Sequence, residues 1–292
     1  MRGWRLVFFV LATAAIVWVM RTSDPPRPLH PIRPADPIAA DLGFAFDSVR
    51  CGSVTGHVRW VGPRPIVEPI RLTQVSSPPG GKTESANPNA PIISKDNYLA
   101  DAVVFLSGID TARSTPWPYP PVTVEVARDG MAIRQGSSVG RYAIVRRGTE
   151  VEFVTHEAAL HSVRARGASF FTQMLATPDR PVRRVMSDNG IVELSSGSGY
   201  FWLRGYLAVS DHPYVAVTGP DGSFRFDQVP DGEYDIVCWK ANWRIDRLER
   251  DPELLSPVRL HFRPPIESRQ RVAVKAGGSQ VIDFAISAAE AR

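Results

Sequence analysis

Residues 214–239 read "YVAVTGPDGSFRFDQVPDGEYDIVCW", and this stretch decides the fold class. Apolar residues recur at every second position, which is the period of a strand with one face buried. Two Pro-Asp-Gly triplets, at 220–222 and 230–232, part the stretch into three strands. In such a turn proline presets the approach and glycine supplies the positive φ that a reversal needs.

The same pattern extends outward in both directions. "SVTGHVRWV" (53–61) alternates Val54, Val58 and Trp60 around glycines, and "ADAVVFLSGI" (100–109) is a nearly continuous apolar strand. "VTVEV" (122–126) and "TEVEFVT" (149–155) alternate cleanly, and "RVAVKAGGSQVIDFAI" (271–286) reads as a hairpin about Gly277-Gly278. Only "ASFFTQML" (168–175) and "RIDRLERDPELL" (244–255) read as short helices. The polar stretch 76–97, "SSPPGGKTESANPNAPIISKDN", is expected to be a long mobile loop. The expected class is therefore all-β, built from sandwiches.

Four segments in order, "GSVTGHVRW", "LADAVVFL", "TGPDGSFRFDQVPDGEYDIVCW" and "VAVKAGGSQVIDFAI", resemble the successive strands of a carboxypeptidase regulatory-like (transthyretin-like, prealbumin-like) domain. The interval between the second and third resembles a cupredoxin. "IVRRGTEVEFVTHEAALHSV" (144–163) is similar to that family's strand, loop and first-ligand histidine, and "GIVELSSGSGYFWLRGYLAVSDHPY" (190–214) to its last two strands. The resemblance implies a prealbumin-like sandwich at 49–110 plus 213–288, interrupted by a cupredoxin-like sandwich at 120–212. Two tandem domains without an insertion are the alternative.

At the other end, "MRGWRLVFFVLATAAIVWVMRTSD" holds an uncharged run from Leu6 to Met20 between Arg5 and Arg21. A small-x-small cleavage site is missing, so residues 1–22 are expected to be a signal-anchor or transmembrane helix, with a cleaved signal as alternative. Either exports the rest of the chain, which places the folded part on the extracytoplasmic side. Residues 23–48 are rich in proline, which fixes φ and removes amide donors, so they read as a semi-rigid spacer. Net charge is +4 and pI about 9.3, with basic and acidic residues interspersed. No nucleic-acid surface is expected; an attraction to anionic membrane or cell-wall polymers is. Cys51 and Cys238 are the two cysteines, and an exported chain allows a disulfide between them.

The cupredoxin resemblance implies a copper site, and here the sequence departs from it. Type-1 copper needs two imidazoles, a thiolate and a weak axial thioether. Mapped by resemblance, His161 is the first imidazole, but Ser196 or Gly197 stands for the thiolate, Tyr200 for the second imidazole and Leu203 for the thioether. A serine hydroxyl is hard and un-ionised, and leucine donates nothing. His161 is thus a remnant, no metal or other cofactor is expected, and copper stays as the alternative. Other motifs fail. "HEAALH" spaces His156 and His161 by five, not the four that one helix face requires, and "PGGKTES" and "SSGSGY" lack the leading glycine and the turn-to-helix context of their look-alikes.

Tyr200, Trp202 and Tyr206 are the candidate binding aromatics; packing into the core is the bland counterpart. The expectation is a non-enzymatic protein anchored in the membrane, contacting cell-wall polysaccharide or another envelope protein. A copper electron-transfer or copper-handling protein is the second reading, and a polysaccharide-active enzyme the third.

Overall fold

Alternation is realised strand by strand. In Cys51–Val61 the side chains of Val54, Val58 and Trp60 turn inward while Arg59 and Val61 face solvent. A computed structural model describes residues 46–71, 84–253, 255 and 257–291. Helix is confined there to single 3-10 turns such as Ser48–Arg50 and Thr111–Arg113, so the chain is all-β.

Strands before residue 108 and after residue 214 pair with one another. One sheet sets Ser223–Pro230 antiparallel to Cys51–Val61, with Ser279–Val281 and Phe284–Ser287 running parallel along its other side. The facing sheet orders Val215–Val217, Val103–Ser107, Gly232–Lys240 and Ile266–Val274. Val58, Leu106, Phe226, Ile236 and Phe284 fill the space between the two.

Strands from 122 to 210 pair among themselves. One five-stranded sheet runs Phe171–Leu175, His161–Gly167, Gly190–Ser196, Arg204–Ser210, Tyr142–Arg146, and the other Val182–Val185, Glu150–Val154, Val122–Val126, Met131–Gln135, Ser138–Gly140. Val124, Phe153, Val163, Leu194 and Leu207 form their common core. The pairs are antiparallel except Arg204–Ser210 with Tyr142–Arg146 and Val122–Val126 with Glu150–Val154.

The two sandwiches meet along a third apolar cluster that draws on both, including Val103, Val215 and Trp239 from one and Ile144, Tyr206 and Ala208 from the other. Tyr206 stacks on Tyr142 at 5.0 Å and meets Trp239 edge-on at 5.5 Å. Its hydroxyl donates to Asn89 Oδ1 at 2.8 Å. Lys240, the buried residue after Trp239, donates to the Ala100 and Asp101 carbonyls, and burial pushes its pKa down to about 8. Phe44–Arg292 accordingly forms one compact unit.

Several local expectations are corrected. The Gly277-Gly278 turn joins strands of opposite sheets, so it arches across the sandwich instead of closing a hairpin; the two Pro-Asp-Gly triplets part three strands as expected, and they too cross between the sheets. Gly222 does take a positive φ, +67°. The two segments read as helices are strands at sheet edges, Phe171–Leu175 and Ile245–Arg250, because pairing with a neighbour overrides local helix preference. Within the polar stretch 76–97, the described part from 84 is held in place. Asn87 and Asn89 are buried and donate to the Trp243 and Asn242 carbonyls.

The pairing considered for Cys51 and Cys238 is not formed; both are free, buried thiols. They lie in opposite sheets, Cys51 donating to the Asp47 carbonyl and Cys238 held between Val104 and Ser268. Burial raises the Cys238 pKa to about 12, which keeps it an inert thiol. The expected membrane segment 1–22 and the spacer up to residue 45 lie outside the described residues. Among the described residues, no helix is long and apolar enough to cross a membrane.

Candidate functional site

The bend 197–203 connects two paired strands, with Leu194 opposite Gly205 and Ser195 opposite Arg204. Ser196 and His161 both face the interior of the 122–210 sandwich at one end, because Val163 beside them pairs with Ser196. The Gly197 amide donates to the Ser162 carbonyl at 2.7 Å, and a Cβ on Gly197 would sit 2.4 Å from Ser162 Oγ. The bend is thus pressed onto the strand that carries His161.

Five positions singled out by sequence lie at this end of the sandwich. His161 is 1% exposed, and its ring lies 6.2 Å from that of Tyr200. Tyr200 packs against Trp202 at 5.4 Å, and the Trp202 indole donates to the Arg128 carbonyl. Leu203 is fully buried in the sandwich core. Ser196 Oγ accepts the Ser198 amide at 3.0 Å. His161 Nε2 is held by Glu157 Oε2 at 2.8 Å, while Nδ1 is buried without a hydrogen-bond partner.

These residues do not fit copper. His161 is posed as a metal-bound imidazole is, one nitrogen fixed by a carboxylate and the other left over. At the other positions mapped to ligands, however, stand an amide-bonded serine hydroxyl, a phenol ring and a leucine, so among these four residues one nitrogen is the only good donor. Among the described residues no group of three His, Cys, Asp or Glu is placed to hold a metal ion. His212 cannot complete the set. It follows Ser210, so the length of Arg204–Ser210, roughly 20 Å at 3.3 Å per residue, separates it from this end.

Of the three candidate binding aromatics, Tyr200 and Trp202 are partly exposed at the bend. Tyr206 is corrected: it is 2% exposed and belongs to the seam between the sandwiches, so it offers no free face. His156 is exposed and paired with Asp179, and His57 lies 3.6 Å from Asp283; both are surface groups.

Sequence reasoning missed what covers the bend. The hairpin Ile245–Arg250 with Pro257–Phe262 reaches from the outer sandwich, and its Leu260 buries Phe201 together with Ile70. Arg204, almost fully buried, ion-pairs with Glu193, donates to the Leu260 carbonyl at 2.7 Å and stacks 4.6 Å over the Phe262 ring. One signal was available: "GYLAV" (205–209) is an unbroken run without charge, and a strand apolar on both faces must be covered twice, as the burial of all of Arg204–Ser210 bears out. Replacing Arg204 with alanine removes these contacts, while the half-exposed Glu193 can return to water. The expected cost is about 2–3 kcal/mol, with hydrogen exchange accelerated in 257–262. R204M, which keeps the packing stem, should lose less. Unchanged exchange in R204A would show that the hairpin is held by something else.

No family model matches the chain, and no curated protein matches it. Several solved structures are similar to part of it, three of them as follows. A copper-containing nitrite reductase from Thermus scotoductus SA-01 shares 17% identity over 31% of this chain and 22% of that one, with a TM-score of 0.25. An amicyanin point mutant in its oxidised form shares 16% over 31% and 82%, with a TM-score of 0.25. A purple cupredoxin from Nitrosopumilus maritimus shares 17% over 26% and 84%, with a TM-score of 0.22. This chain therefore spans only about a fifth of the reductase.

Proposed function

We propose that this chain is a non-enzymatic, membrane-anchored extracytoplasmic protein in which a carboxypeptidase regulatory-like sandwich carries a metal-free cupredoxin-like sandwich. Its role is contact with an envelope partner, a cell-wall polysaccharide or another protein, and it needs no cofactor. The observation that supports this most is the filling of the bend: Leu203 is fully buried in the core where a ligand would stand, with Tyr200 and Trp202 packed beside it. A vacated polar cavity would strand unsatisfied groups; rings and a leucine remove that cost. The partly exposed pair Tyr200 and Trp202 is the contact surface this reading favours.

A second reading, copper binding, has one observation in its favour: the buried, unpartnered Nδ1 of His161 with Glu157 behind it. Copper titration of the purified full chain separates the two. The expected result is no stoichiometric uptake and no thiolate-to-copper band in the visible. One copper per chain, retained through desalting, would overturn the metal-free assignment.

A further inference from the structure

A cleft of about 510 Å³ opens where the sandwiches part, at the end of the seam far from the bend. Its walls are Phe105, Val215 and Trp239 from the outer sandwich and Ile191 from the inner one. The size and the position between two packed modules are those of small-molecule sites. Two of its polar lining residues, Glu267 and Asp211, are acids. Glu267 lies directly across the strand pair from Trp239, so carboxylate and indole stand side by side. Among the described residues, the Glu267 carboxylate has no hydrogen bond or ion pair. Its neighbour two along the strand, Arg269, is taken up by Asp235 at 3.2 Å.

Asp211 adds a second acid, shared with Asn189 at 2.8 Å and with Arg147 at 3.7 Å. Among the described residues lining the cleft, none is lysine or arginine. His212, 7% exposed, contributes a buried Nδ1 with no hydrogen-bond partner. Burial pushes its pKa below the ordinary histidine value, against the pull of Asp211, so the ring adds no positive charge at neutral pH. The lining is therefore aromatic and apolar in its body, acidic at its rim, and short of one donor.

We propose that this cleft binds a compact apolar ligand carrying one ammonium group, its body against Trp239 and Phe105 and its charge at Glu267. An ammonium beside an indole and an unpaired carboxylate gains from both, whereas a carboxylate ligand would meet the unpaired Glu267 with no lysine or arginine lining the cleft to offset it. The site is independent of the metal question, since strand Arg204–Ser210 separates cleft and bend.

The full chain is titrated with 2-phenylethylammonium, with 3-phenylpropionate and 2-phenylethanol as charge controls, by ligand-observed NMR and tryptophan fluorescence. The amine should bind at least about tenfold tighter than the carboxylate. E267Q should remove most of that preference, and S107W, which fills the rim, should abolish binding of all three while the far-ultraviolet circular dichroism stays wild type. Absence of binding into the millimolar range, equal affinity for amine and carboxylate, or E267Q indistinguishable from wild type would each overturn the assignment.

Discussion

Replacing Gly56 with alanine is expected to prevent stable folding of the outer sandwich. Gly56 lies mid-strand in Cys51–Val61, opposite Phe224, and a Cβ there would sit 1.7 Å from the Ile282 carbonyl oxygen and 2.8 Å from the Phe224 ring. The nearer obstacle is backbone, fixed by the Ile282 amide donating to the Thr55 carbonyl at 2.9 Å. It cannot yield without detaching the segment that carries Phe284 and Ile286. The expected loss exceeds ~4 kcal/mol, a large part of a domain's usual stability. Gly62 provides the control: its φ is +86° but nothing lies within 4 Å, so G62A should cost only about 1–2 kcal/mol of backbone strain. Thermal melts of both variants decide the matter. A G56A melting point within a few degrees of wild type would show that Phe284–Ser287 does not run beside Cys51–Val61 as described.

The triple variant S196C/Y200H/L203M is expected to bind copper, whereas the natural chain is expected not to. His161 has one ring nitrogen held by Glu157 and the other left over, and the three replaced positions lie at the same end of the sandwich, Tyr200 with its ring 6.2 Å away and Ser196 opposite Val163. The substitutions supply a thiolate, a second imidazole and a thioether. Leucine to methionine nearly conserves volume and should cost less than ~1.5 kcal/mol. One copper per chain with a visible thiolate band, absent from wild type, is the expected result. A variant with wild-type circular dichroism that takes up no metal would show that the bend lacks the geometry as well as the donors.

The strands are legible in the sequence because period-two burial is written in residue type, as in "SFRFDQV" and "VTVEV". Their partners are not. Gly277-Gly278 carries the letters of a hairpin turn, yet Ser53 donates to Gly278 and Gly277 to Cys51, which commits the turn to crossing between sheets. "RIDRLER" has helix-forming composition, and only pairing with Pro257–Phe262 makes it a strand. At the site, the missing donors can be read residue by residue, and the His161 and Tyr200 rings do come within 6.2 Å. Tyr206 escapes such a reading because its exposure depends on the second sandwich, which no local pattern announces. Glu267, Trp239 and Asp211 come together only through the same packing.

The interrupted architecture also constrains assembly. Phe105 and Val215 are directly paired neighbours, but the polypeptide between them holds the entire inner sandwich. Closing a flexible stretch of that length carries a conformational cost that grows as the logarithm of its length, roughly 2 kcal/mol more than a ten-residue connection. Once the inner module has formed, its entry and exit strands hold those two residues near each other and most of that penalty vanishes. Maturation should therefore run from the inside outward, and damage to the inner module would be felt first as a failure of the outer one to close.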